Sequence, residues 1–194
     1  YCTPHVLHAI LESRSLWLCD PRQVNDPREL EYSRTTIDAI VRQENAELAD
    51  RLNAALQSLL PLCLSLSTDG DLLSQWRAYA NGGFGYALGI SGASVERLAE
   101  RPWHQTTQLN EDRSVLFAGP AVGPVLYHCP EQEEEIRRCL ALPADAERLA
   151  ELIMAVSFIK HDAYQEESEW RLVSSSMSTD DGQRFRGVDE FKYR

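Results

Sequence analysis

The chain is short of basic charge, of paired cysteines and of long apolar runs, and each shortage removes a class of function. Nineteen Lys and Arg stand against thirty Asp and Glu, a formal charge of -11. A surface of that sign repels phosphate backbones, which excludes nucleic-acid binding through a broad basic face and leaves room only for a small local basic pocket. No apolar run nears the roughly 20 residues of a membrane span. The start, "YCTPHVLHAI", has neither a basic leader nor a signal-like apolar block. It opens directly on a structured-looking segment, as a trimmed or excised domain would. These features read as a cytoplasmic chain with no membrane attachment.

Five cysteines, at positions 2, 19, 63, 129 and 139, form no CxxC pair and no zinc-ligand spacing. Their odd number and scatter suit reduced thiols in a cytoplasm. Cys19 and Cys63 sit in apolar, strand-like runs, where a thiol is usually a small buried side chain. His5, His8, His104, His128 and His161 fit no HExxH or other ligand spacing, so no metal is expected. The glycines form neither a P-loop nor a dinucleotide fingerprint. With no internal repeat and no linker, 1–194 reads as one domain with a full core.

What is present is a mixed pattern. Thr3-Pro4 predicts a helix cap followed by a helix to about Ser13 that buries Val6, Leu7, Ile10 and Leu11. "LWLC" (16–19) reads as a short strand. "NDPRELE" (25–31) carries Asp26 as N-cap, Pro27 at the first helical position and Glu29 three residues on, a capping-box arrangement. Helical spacing continues through Ile37 and Val41, then through Leu48, Leu52, Leu56 and Leu59. "LCLSLS" (62–67) alternates as a strand, "DLLSQWRAYA" (71–80) is helical, and "NGGFG" turns the chain into a strand over 86–90. A helix near 92–100, strands near 114–118 and 124–128, a helix from Pro130 and a long helix over 144–160 follow. Residues 175–194 read as a polar loop and a tail that adds an edge strand. The fold class is α+β.

Read as a helix, "YQEESEWRLV" (164–173) groups Glu166 with Trp170 and Val173; read as a strand, which its Trp-Arg-Leu-Val finish favours, it divides into Glu166, Ser168, Trp170, Leu172 on one face and Glu167, Glu169, Arg171, Val173 on the other. Glu167 and Glu169 would then project side by side. Such a pair either forms a solvated face or lines a cleft, where it suits chemistry that develops positive charge on a sugar. The middle block offers a similar choice. Trp76 and Tyr79 share one helix face and either fill the core or stack a flat heteroaromatic ring beside the glycine turn. Arg77 would meet a phosphate, and Ser65 and Ser67, on one strand face, would donate hydrogen bonds to a ligand.

Three blocks, "ILESRSLWLCDPRQVNDPRELE", "CLSLSTDGDLLSQWRAYANGGFGYALGIS" and "FIKHDAYQEESEWRLV", resemble the bacterial family catalogued as domain of unknown function 2971. Together they cover most of the chain. The order of motifs is also similar, more distantly, to the ADP-ribosyltransferase superfamily, which has a first strand with Arg or His-x-Thr, a middle strand with Ser-Thr-Ser and a late strand with Glu-x-Glu. That resemblance implies a split β-sheet core with helices packed around it. It implies NAD as substrate, cleavage of the nicotinamide-ribose bond, and transfer of ADP-ribose to a protein or nucleic-acid acceptor, or to water in an NAD glycohydrolase. A toxin or phage-defence effector would use such chemistry. Carried onto this chain, Glu169 would hold the ribose 2'-hydroxyl and stabilise the oxocarbenium, Glu167 would orient or deprotonate the acceptor, and Ser67 would brace Glu169. Tyr1, Thr3 and Tyr79 would help seat NAD. Tyr1 stands where the superfamily has Arg or His. That departure and the acidic surface favour the second expectation, a non-catalytic module on the same fold that recognises a basic protein.

Overall fold

In the computed structural model, which describes residues 1–19, 28–100 and 121–177, the chain threads helices around a small antiparallel sheet. Its strands are β1 (Leu59–Ser67), β2 (Ala121–Pro124) and β3 (Glu169–Met177), in the order β1-β3-β2. The described α-helices are α1 (Pro4–Ser13), α2 (Glu29–Glu44), α3 (Ala46–Ser58), α4 (Leu73–Tyr79), α5 (Gly92–Glu100), α6 (Cys129–Leu140) and α7 (Asp145–Ala155). This is a single α+β domain. The described sheet has three strands and does not display the split sheet of ADP-ribosyltransferases. Among the described residues no helix is long and apolar enough to cross a membrane.

The period-two pattern of the two longer strands sets the sheet's register. Cys63 faces Val173, Ser65 faces Arg171 and Ser67 faces Glu169, while Leu64 faces Leu172 and Leu66 faces Trp170. Directly opposed residues share a face, so one face gathers Cys63, Ser65, Ser67, Glu169, Arg171 and Val173. The other gathers leucines: Leu172 packs with Leu62 and Leu18. Because β3 is the central strand, Leu172 and Val173 are both fully buried although they point in opposite directions.

A second core lies between helices. Ile37 and Val41 of α2, Leu48 and Leu52 of α3, Ile136 of α6, and Leu152 and Ile153 of α7 form one apolar cluster. Burying each such side chain contributes about 1.5–3 kcal/mol. Asn45 separates α2 from α3, and its side-chain oxygen accepts the Leu48 amide at 3.0 Å, capping the second helix.

Several expectations need correcting. Helix α1 forms and Thr3 caps it, accepting the Val6 amide at 3.3 Å, but none of its residues is buried and Leu11 is 65% exposed. The strand expected over 86–90 reduces to one bridge, Tyr86 to Cys2. There the close approach of two backbones explains Gly85, where a Cβ would press on the Cys2 carbonyl and lie 2.8 Å from the Ala80 Cα. The helix predicted over 144–160 ends as α7 at Ala155 and tightens into a 3-10 turn over Val156–Phe158. The strand expected at 124–128 lies earlier, as β2. Residues 175–177, read as loop, continue β3. The strand at 114–118, the tail 178–194, and Asp26 and Pro27 of the capping box lie outside the described residues.

The largest correction concerns "YQEESEWRLV". Asp162–Glu167 is a 3-10 helix, Ser168 reverses the chain in the left-handed region at φ 45°, and the strand begins only at Glu169. Glu167 is therefore not a strand neighbour of Glu169. From Glu169 onward the predicted division of faces holds.

Candidate functional site

Glu169 and Arg171 lie on the buried face of β3, two residues apart and so side by side. Arg171 Nε donates to Glu169 Oε1 at 2.7 Å and Nη2 to Oε2 at 2.9 Å, a bidentate fork. Its remaining donors reach the Ser157 carbonyl at 2.7 Å and Glu29 Oε1. Glu29 opens α2, and its other oxygen lies 3.1 Å from Lys160 Nζ. Lys160 Nζ also meets Glu167 Oε2 at 2.6 Å and Glu169 Oε2 at 3.0 Å. The ammonium thus donates hydrogen bonds to Glu167 and Glu169 and forms an ion pair with Glu29.

Three segments that are distant in sequence are brought together by backbone pairing and one buried amide. Leu126 bridges Ile159 in parallel, and the Lys160 amide donates to the Leu126 carbonyl at 3.1 Å. Gln132, fully buried on α6, donates to the Leu126 and Lys160 carbonyls at 2.8 and 2.9 Å. Its oxygen accepts from the Tyr32 hydroxyl at 3.2 Å. The Glu169 amide donates to the Tyr127 hydroxyl at 3.1 Å. Lys160 and Glu169 are held from behind as well as through their charges.

Three carboxylates (Glu29, Glu167, Glu169) face two cations (Lys160, Arg171), leaving the cluster one negative charge in excess. Burial alone would raise the Glu169 carboxyl, but the Arg171 fork, Lys160 and the Ser65 hydroxyl outweigh it, and its pKa falls below the ordinary carboxylate value. Burial would lower Lys160, and the surrounding carboxylates reverse that and raise it. Lys160 is held as an ammonium, so it is no amine nucleophile. Glu169 is 5% exposed and both its oxygens are engaged.

The expected site residues divide into three groups. Glu167 and Glu169 do converge, through Lys160 rather than along a strand. Ser65 and Ser67 share their face, with roles exchanged: Ser65 supports the Glu169 carboxylate, whereas the Ser67 hydroxyl donates to the Glu167 carbonyl at 3.0 Å. Tyr1 and Trp76 meet edge to face at 5.2 Å beside the loop that follows β1. The Tyr1 hydroxyl donates to the Asp69 carbonyl and accepts the Leu72 amide, both at 2.7 Å. Trp76 Nε1 donates to Asp71 at 2.8 Å. Thr3 is spent on capping α1, and Arg77 and Tyr79 are exposed on α4. Neither reading of Trp76 and Tyr79 as a core pair is met in full, since Tyr79 is 40% exposed.

Sequence reasoning missed Glu29, Lys160 and Arg171. Glu29 read as half of a capping box, while its carboxylate points into the ion cluster. Arg171 carried a usable signal, because a Glu-x-Arg pair on a strand that ends in Leu-Val is placed to pair under cover.

Open space adjoins the closed cluster. A cavity of about 440 Å³ is floored by Glu29 and Lys160 and walled by Tyr32, His161 and Tyr164. The Lys160 ammonium lies 5.0 Å from the Tyr164 ring centroid, and Tyr32 and His161 meet edge to face at 5.1 Å. A second cavity of about 490 Å³ runs past Arg34, Asp38 and Asn53, and the two share Glu31 and Thr35. Together they form a groove along the exposed side of α2. Among the described residues no cluster of His, Cys, Asp and Glu is arranged to hold a metal.

Comparison with curated proteins gave no match, and comparison with solved structures gave none either. A family model does match residues 75–172, half of the chain, a span that takes in Lys160, Glu167, Glu169 and Arg171 and stops short of Glu29. The chain belongs to that family, described as Protein of unknown function (DUF2971).

Proposed function

We propose that this chain is a binding module whose groove along α2 takes an extended basic segment of another protein. The observation that supports it is the contrast between a closed ion cluster and the open groove beside it. Both oxygens of Glu29 and of Glu169 are engaged, so the cluster presents a fixed negative potential and no free reactive group. The groove adds Glu31, Asp38 and the Tyr32 ring, with Arg28 and Arg34 also on its lining and Lys160 already against the Tyr164 ring. Carboxylates beside aromatic faces suit an arginine or lysine side chain, and a charge of -11 steers a basic partner in. The test is fluorescence anisotropy with labelled oligo-arginine and oligo-glutamate peptides. Binding of the basic peptide, weakened by salt and lowered about tenfold in Glu31→Lys, is the expected result. Equal binding of both peptides, or of neither, would sink the reading.

A second reading keeps the NAD chemistry of an ADP-ribosyltransferase-like domain, because β1 sets Ser65 and Ser67 beside Glu169 and Glu167 as that resemblance implies. Glu169 is ionised, as an oxocarbenium partner must be, but it would have to exchange Lys160 or Arg171 for the ribose hydroxyl. Proton NMR of NAD decides. Nicotinamide released by the wild type and not by Glu169→Gln establishes this reading, and silence from both removes it.

A further inference from the structure

We propose that Cys19 and Cys63 are a cross-strand dithiol site that a low-molecular-weight disulfide oxidises to a protein disulfide. Cys63 lies in β1, whose one edge is taken by β3. The other edge meets Cys19 through an isolated antiparallel bridge: the Cys19 amide donates to the Cys63 carbonyl at 2.7 Å, and the Cys63 amide to the Cys19 carbonyl at 2.9 Å. Residues that exchange both bonds stand directly opposite, with Cα atoms about 5.5 Å and Cβ atoms about 4.5–5.5 Å apart. The face is settled independently. Leu18 packs with Leu62 and Leu172 on the far side of the sheet, so the next residue, Cys19, turns to the side of Cys63.

A disulfide needs Cα atoms roughly 4.4–6.8 Å apart and Cβ atoms about 3.5–4.5 Å apart. The backbone meets the first requirement and must close by up to about 1 Å for the second. Such a bond is strained, hence more easily reduced than a structural disulfide. It suits a reversible modification in a reducing compartment.

The two thiols are unequal, which fixes the order of events. Cys19 is exposed and Cys63 is buried. The Cys19 thiolate attacks the external disulfide, forming a mixed disulfide and releasing one thiolate. Cys63 then gives up its proton and attacks the Cys19 sulfur, releasing the second. Two protein thiols are oxidised, and one external disulfide is reduced to two thiols that carry away the two protons. Burial raises the Cys19 thiol as well and pushes the Cys63 thiol further, up to about 12, so both steps are slow and the second is the slower. The Ser157 hydroxyl lies close enough to ease that shift but has no hydrogen-bond partner among the described residues.

The remaining cysteines are internal references. Cys2 and Cys139 are buried, and Cys129 is exposed at the start of α6. The experiment treats the native chain with glutathione disulfide, blocks the remaining thiols by alkylation and maps tryptic peptides. The expected product links peptides 15–22 and 52–77, carries glutathione on Cys129 and leaves Cys2 and Cys139 alkylated. In Cys63→Ala the Cys19 glutathione adduct persists; in Cys19→Ser, an exposed position whose change leaves the fold intact, Cys63 resists modification. The proposal is overturned if Cys129 reacts while no 19–63 link forms in the wild type. It is equally overturned if Cys63 takes up glutathione in Cys19→Ser as fast as the wild type forms the link.

Discussion

The helical core and the ion cluster are both buried, and they are held together in opposite ways. Between α2, α3, α6 and α7 the contacts are apolar, additive and tolerant: Ile37, Val41, Leu152 and Ile153 each lose water independently. Around Lys160 the contacts are ionic and conditional, since each of five side chains is satisfied by the others. An apolar core weakens in steps, whereas an ion cluster is sound as a complete set and costly as a partial one.

The sharpest break of that comparison is Arg171→Ala against Leu152→Ala. Removing the Arg171 guanidinium leaves Glu29 and Glu169 sharing the single Lys160 ammonium under cover, and takes one donor from the Ser157 carbonyl. A loss of about 3–5 kcal/mol is expected. Leu152→Ala opens a cavity worth about 2–5 kcal/mol. Urea unfolding separates them by pH: the Leu152→Ala loss stays constant from mild acid to neutrality, whereas the Arg171→Ala loss shrinks as acid protonates the two carboxylates. Equal pH dependence in the two variants would show that the cluster is not ionised as described.

Lys160→Met sharpens the comparison through its sign. In the wild type the Glu169 pKa is lowered by folding, so its contribution is present above the unfolded carboxylate value and is lost as pH falls through the folded one. The Lys160 pKa is raised, so its contribution is present below the unfolded lysine value and is lost as pH rises through the folded one. Wild-type stability is therefore flat between those limits and falls in acid. In Lys160→Met, Glu29, Glu167 and Glu169 face only Arg171, and at least one carboxyl is pushed above its unfolded value. That variant gains stability as pH drops from about 7 to about 5, opposite to Leu152→Ala, which does not move. A fall over the same range would mean that solvent, not Lys160, neutralises the cluster.

The two regions were unequally legible in sequence for the same physical reason. Apolar periodicity is local, so the apolar spacing that predicts a helix over 144–160 does place Leu149, Leu152, Ile153, Val156 and Ile159 in one cluster, although that helix tightens at Val156. Likewise alternation marked 62–67 of β1 and 169–173 of β3, whereas Leu59, read as helical, opens β1 and 175–177, read as loop, close β3. An ion cluster is assembled from distant segments and has no period. Glu29 and Arg171 stand 142 positions apart, and nothing near either one names the other. The local signal at Glu29, a capping box, concerned only its own helix. Ser168 misled in another way: a single left-handed residue separates Glu167 from the strand, and serine does not advertise that conformation as glycine or asparagine would.

Thr3→Ala is the smallest effect and asks where both regions end. Helix α1 buries no residue fully and leaves Val6 and Leu11 largely exposed, so it belongs to neither core. Its N-terminus is fixed by the Thr3 cap and by the Cys2–Tyr86 bridge just before it. Loss of the cap is worth about 1 kcal/mol to the helix. If α1 opens by itself, that energy is spent locally: amide exchange at Val6 and Leu7 quickens about fivefold while the urea midpoint of the whole chain stays put. If instead the midpoint falls and exchange throughout β1 and β3 quickens in step, α1 unfolds with the sheet. The bridge would then transmit its stability to the sheet whose central strand carries Glu169 and Arg171.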